Sequence, residues 1–178
     1  MAEYSEKERR LLLQLAHDAI AAALDKREIE LTPPSEHLGE HRGAFTTLHE
    51  AGELRGCVGY VFPMYSLYRT IAETAVAAAL NDSRFTPVQR KELSHLKLEI
   101  SVLSPIQPIE PDDVEVGRHG LLVTYGNRRG LLLPQVPLEH KWDRETFLSQ
   151  TCVKAGLPSD AWEHGAKVEA FTAEVFGE

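Results

Sequence analysis

The stretch "AFTTLHEAGELRGCVGYV", Ala44 to Val61, sets the fold class, because two strand-like runs flank a short turn at Glu50 to Gly52. "AFTTLH" and "ELRGCVGYV" read as the arms of an antiparallel hairpin. Strand alternation puts Leu54, Gly56, Val58 and Tyr60 on one face and Arg55, Cys57, Gly59 and Val61 on the other. A guanidinium and a thiol then become neighbours, and a positive charge beside a thiol favours the reactive thiolate. Gly56 and Gly59 weaken a strand unless a helix, a bulge or a ligand must approach its backbone. The same residues also suit a plain core strand, with Cys57 a small apolar side chain and Arg55 paired to a structural carboxylate.

Upstream, Ser5 to Glu8 has the spacing of a capping box, and Leu11, Leu12, Leu15, Ala19 and Ala22 follow at helical intervals. These features predict a first helix from about Glu6 to Leu24. "LTPPSEHLGEHRG" breaks all periodicity and reads as a loop with at most one short turn. Downstream, a second helix is expected from near Pro63 to Leu80, and a short third one from the Thr86-Pro87 pair through Leu93.

"LKLEISVLSP" alternates as a strand, with Leu96, Leu98, Ile100 and Val102 on one face and Lys97, Glu99, Ser101 and Leu103 on the other. "GLLVTY" and "GLLLPQV", joined by "GNRRG", form a second hairpin, Asp143 caps a fourth helix ending at Gly156, and "KVEAFTAEVF" closes the chain as one strand. Hairpins dominate the connections. The expected class is therefore α+β, mainly antiparallel sheet with packed helices, in a single domain over residues 1–178.

The chain has 178 residues, 43% hydrophobic and 26% charged, an ordinary globular composition. It has no apolar run near the ~20 residues that span a bilayer. "MAEYSEKERR" lacks the apolar core of a signal peptide, so a cytoplasmic location without membrane partners is expected, with Cys57 and Cys152 as reduced thiols. The net charge of −8 argues against a non-specific grip on nucleic acid, and only Arg128 and Arg129 hint at a basic turn. His37 to His41, "HLGEH", matches the H-x-x-E-H string of a zinc protease family, but the flanking prolines and internal glycine deny it the helix that would hold two ligands rigid. No metal and no cofactor are expected.

"LRGCVG" closely resembles the L-R-G-C-I-G signature of the AMMECR family, with valine for isoleucine. The likeness continues through "RGAFTTL", "NDSRFTPV", "LEISVLSP", "GRHGLLV", "LLLPQV" and "WDRETFLSQTCVKAGL" in the same order. The resemblance implies an α+β fold of two interlocked lobes with a cleft between them, and bacterial relatives associated with Memo-type and radical-SAM proteins. It brings no established reaction, so the chemistry must be read from residues.

Asp82 and Arg84 in "NDSRF" lie where the second helix ends, suited to a polar cradle or to a structural ion pair. Glu99 on the polar side of its strand and His119 before the second hairpin are candidates for moving protons. Gln135 after Pro134 could hold a substrate amide or carboxylate. Two readings follow. In the first, the protein is an enzyme acting on an unidentified small molecule, with Cys57 as nucleophile, Glu99 and His119 handling protons, Arg55 activating the thiol, and Asp82, Arg84 and Gln135 binding substrate. In the second it is a non-catalytic module for a Memo-like, radical-SAM or other partner protein, with RNA binding a more distant third.

Overall fold

The computed structural model describes residues 1–178, and the chain divides into two compact units, Met1–Leu103 with Glu174–Glu178, and Ser104–Ala173. The first unit begins with α1 (Glu6–Leu24). The Ser5 side chain accepts the Glu8 backbone N–H while the Glu8 carboxylate accepts that of Ser5, so the predicted capping box forms. "LTPPSEHLGEH" supplies only α2 (Glu36–Gly39), one turn capped by Ser35.

The predicted hairpin is β1 (Ala44–Glu50) and β2 (Glu53–Tyr60), followed by α3 (Leu67–Leu80). α3 starts later than Pro63 suggests, because the cap is Ser66, whose hydroxyl accepts the Arg69 N–H. In place of the expected third helix, a 3-10 turn spans Arg90–His95, set by a capping box between Gln89 and Glu92. It leads into β3 (Leu96–Leu103).

The second unit opens with β4 (Gln107–Pro108), then β5 (Gly120–Tyr125) and β6 (Arg128–Leu132), the second predicted hairpin. An unforeseen short helix, α4 (Val136–His140), with Pro137 in its first turn, precedes α5 (Arg144–Lys154), whose cap Asp143 accepts the Thr146 N–H. The closing stretch is two strands, not one: β7 (Lys167–Phe171) belongs to the second sheet and β8 (Ala173–Gly177) to the first. The break falls at Thr172, whose N–H donates to the Ser104 hydroxyl at 2.8 Å instead of continuing a ladder.

The first sheet has the order β2-β1-β3-β8 and the second β4-β7-β5-β6, which makes the protein α+β with antiparallel sheets. One face of the first sheet, with Ala44, Leu48, Leu98 and Ile100, packs against Leu12 and Ile20 of α1 and Ile71 and Ala75 of α3. In the second unit Leu121, Val123 and Val168 pack with Phe147, Leu148 and Cys152 of α5. No helix is long and apolar enough to cross a membrane.

Candidate functional site

The register of β1 and β2 decides what surrounds Cys57. Thr47 lies opposite Cys57 and Leu48 opposite Gly56, but His49 then meets Leu54, which leaves Arg55 as the extra residue of a β-bulge. A bulge reverses alternation. Leu54 joins Cys57 on the face away from the helices, and Arg55 turns to the other side, where Glu50 lies.

The expected Arg55–Cys57 neighbourhood is therefore not formed. Arg55 Nε donates to Glu92 Oε1 at 2.9 Å and Nη1 to the Thr86 carbonyl at 2.8 Å, and its side chain is only 13% exposed. Glu92 is held below the usual carboxylate range by Arg55 first and by the Gln89 N–H second. This is the structural ion pair weighed above for Arg55, and its partner Glu92 was not singled out from the sequence.

Asp82 and Arg84 occupy the place by Cys57 that alternation assigned to Arg55. Asp82, in the turn after α3, accepts the Cys57 N–H at 3.0 Å and grips the Arg84 side chain through Nε at 3.0 Å and Nη2 at 2.8 Å. The Arg84 backbone N–H adds a fourth bond at 3.2 Å. The Asp82 side chain is 7% exposed, and its carboxyl is held far below the ordinary range by Arg84 first and the Cys57 N–H next. Arg84 is raised in turn, chiefly by Asp82 and in part by the negative charge of a Cys57 thiolate. Arg84 itself is 58% exposed, with its Cζ 5.3 Å from the Phe85 ring centroid.

Thr47 donates its hydroxyl to Cys57 Sγ at 3.3 Å. Across the other side of β1, Thr47 is paired with Glu99 of β3, so Cys57, Thr47 and Glu99 form one row over three strands on the helix-free face. Thr47 was missed because a threonine in a strand carries no signal until the register is known. On the opposite face, the space a side chain at Gly56 would need is filled by the Ala78 carbonyl of α3, 2.1 Å from where its Cβ would lie. β2 thus packs on α3 at Gly56 and carries Cys57 on the other face.

His119 and Gln135 belong to the second unit. His119 Nδ1 accepts the Glu115 N–H at 2.9 Å, and Gln135 stands exposed at the start of α4 without a capping bond. Cys152 is fully buried, and burial pushes its thiol up. Arg128 donates to the Gly156 carbonyl at 2.6 Å and so serves the end of α5.

The "HLGEH" histidines do not converge. His37 Nδ1 lies 2.7 Å from Glu8, whereas the backbone of His41 bridges to Ser66. Glu3, His37 and Glu40 do cluster, with donor atoms within 4.8 Å of one another. The buried Arg42 guanidinium bonds Glu3 and, at 3.0 Å, Glu40, so the cation among those carboxylates is an arginine.

The chain belongs to the AMMECR1 family, whose model matches residues 13–176. Among its relatives, a protein of Methanopyrus kandleri, "Protein MK0488", is 42% identical over 184 residues, covering 97% of this chain and 89% of that one. "Protein PYRAB00100" of Pyrococcus abyssi is 42% identical over 193 residues, covering 100% and 94%. The chain is also similar to the crystal structure of "Uncharacterized Protein PH0010" from Pyrococcus horikoshii, with 43% identity, a TM-score of 0.76, and coverage of 94% and 90%. None of these three names states an activity.

Proposed function

We propose that the protein is an enzyme in which Cys57 attacks a carbonyl-type electrophile of an anionic substrate. The observation that carries this reading is the convergence of Asp82 on both the Cys57 N–H and the Arg84 side chain. Asp82 fixes the nucleophile's backbone and the guanidinium in one frame, so the cation stays beside the sulfur without rotamer search. With Nε and Nη2 on Asp82, Nη1 is the edge of Arg84 left to receive a substrate carboxylate or phosphate.

In the attack, Sγ bonds to the carbonyl carbon, the Thr47 hydroxyl, which held the sulfur lone pair, releases it, and the thiol proton passes through solvent to the Glu99 carboxylate of the same row. The leaving group departs with that proton, returned by Glu99, and water then cleaves the acyl-sulfur bond to release the acid and restore the thiol. Arg55 acts at one remove, by fixing the bulge.

Iodoacetamide labelling of native protein, followed residue by residue by mass spectrometry, tests the reading. Cys57 alkylates faster than the buried Cys152, and Arg84→Ala slows Cys57 by about three- to tenfold as the guanidinium held beside it by Asp82 is lost. A Cys57 that stays inert until the protein is denatured would sink the enzyme reading.

A non-catalytic module is the second reading, and a separate observation favours it. Tyr60, Val61, Phe62, Met64 and Tyr65 line a hollow of about 460 Å³, with Met64 65% exposed. Under that reading Cys57→Ser leaves cellular function intact while Met64→Asp removes it. Under the enzyme reading the order is reversed.

A further inference from the structure

The second unit contains a cavity of about 280 Å³ that the Cys57 chemistry does not use. Pro105, Gln107, Ile109, His119, Phe171 and Thr172 are among its lining residues. The two ends of this unit's sequence meet there, since Ser104 and Pro105 open the unit and Phe171 and Thr172 close it, with His119 of "GRHGLLV" beside them.

The chemistry of the His119 ring is set by its own turn. The Glu115 N–H donates to Nδ1 at 2.9 Å, and the His119 N–H returns to the Glu115 carbonyl at 3.0 Å. A neutral imidazole whose Nδ1 accepts carries its proton on Nε2. Burial, and then the charge of Arg118, hold the ring below the ordinary histidine range, with Glu115 opposing, so the neutral form is the one favoured. Nε2–H is then the donor that the ring can offer to the cavity.

The other polar groups of the wall are uncharged: the Gln107 amide, the Thr172 hydroxyl and the Ser104 hydroxyl, which accepts the Thr172 N–H. Pro105, Ile109 and Phe171 supply apolar surface. The neighbouring cation, Arg118, is paired with Glu115 at 2.8 Å and does not line the cavity. An anion would lose hydration here without gaining a countercharge, whereas a neutral amide would find a donor for its oxygen and acceptors for its N–H groups.

We propose that this cavity is a binding site for a small neutral molecule carrying a carboxamide on a flat apolar body, with His119 Nε2–H donating to the amide oxygen. The site is independent of the Cys57 reading.

Side-chain and backbone NMR of the full chain tests it with benzamide as probe and benzoate as its charged counterpart. Benzamide shifts the His119 and Thr172 resonances saturably at millimolar concentration, and benzoate binds about fivefold more weakly or less, the worth of one lost hydrogen bond. His119→Ala weakens benzamide by a similar factor with the rest of the spectrum unchanged. The exposed Gln107→Ala weakens it at least about twofold and serves if the histidine variant misfolds. Shifts that do not saturate, benzoate binding as well as benzamide, or a folded variant of either residue with unchanged affinity would overturn the proposal. The rate of Cys57 alkylation does not enter any of these readouts, so the two proposals fail separately.

Discussion

Asp82 accepts four hydrogen bonds, three of them from Arg84, and the depression of its carboxyl makes this one residue a source of pH-dependent stability. The unfolded chain protonates Asp82 near the ordinary aspartate value of about 3.9 while the folded protein still holds it ionised, so the unfolded state binds more protons. The contribution is complete above that value and is lost as pH falls through and below it. The difference in urea midpoint between the protein and Asp82→Asn therefore shrinks from pH 6 to pH 3. A difference that grows would contradict the assignment.

His37 runs the other way. Glu8 raises its pKa, with burial opposing, so its contribution is present below about 6.5 and is lost as pH rises through the folded value. Because the pair is partly exposed, His37→Gln should lower the melting temperature by about 1–3 °C at pH 6 and by less at pH 8.

At the level of elements, β2 shows how two neighbouring glycines can serve different ends. A Cβ at Gly56 would sit 2.1 Å from the Ala78 carbonyl oxygen, backbone of a helix that cannot rotate aside, while at Gly59 it would meet the Phe45 ring at 2.2 Å. Gly56→Ala should cost roughly 3 kcal/mol in chemical denaturation, the overpacking range, and Gly59→Ala less because a ring can move.

Such approaches were legible in "LRGCVGYV", where glycine inside a strand announces that something comes near. So were α1, the two hairpins and α5, each signalled by local caps or alternation. The bulge at Arg55 was not, because it arises from the pairing of Leu54 with His49, and a sequence carries no mark of which residue a strand will skip. The same gap hid Thr47 and exchanged Arg84 for Arg55 beside the thiol. The break at Thr172 was invisible for another reason: "KVEAFTAEVF" has unbroken strand character, and only a hydrogen bond to Ser104, far off in sequence, interrupts it.

For the molecule as a whole, the last strand is a tie. Glu174 accepts the Glu3 N–H at 2.8 Å and pairs with Arg9 at 2.7 Å, and Glu178 reaches the Leu98 N–H at 3.0 Å and His17 at 2.8 Å. Removing residues 174–178 takes away an outer strand of the first sheet and these four contacts. Hydrogen exchange of the truncated chain should show loss of protection in α1 and β3, with protection in β5 and α5 retained. Uniform loss in both units would mean that the two do not hold their structure separately.

The hydrogen bonds between Ser104 and Thr172 have a further effect, seen when the chain is treated as a polymer. Ser104 N–H donates to the Thr172 carbonyl at 2.8 Å, and Thr172 N–H returns to the Ser104 hydroxyl at 2.8 Å, so the second unit leaves the first and comes back at one point. Seen from the first unit, the whole of Ser104–Ala173 is an excursion between adjacent sheet strands β3 and β8. Left as free coil, an excursion of about 70 residues would carry a loop-closure cost roughly 2.5 kcal/mol greater than a four-residue connection. Folded, it brings its own ends together and removes that cost, acting as a clasp on β8. Melting the second unit alone would therefore loosen the first without breaking any bond in it, and a short Gly-containing graft in place of 104–172 would restore the lost stability.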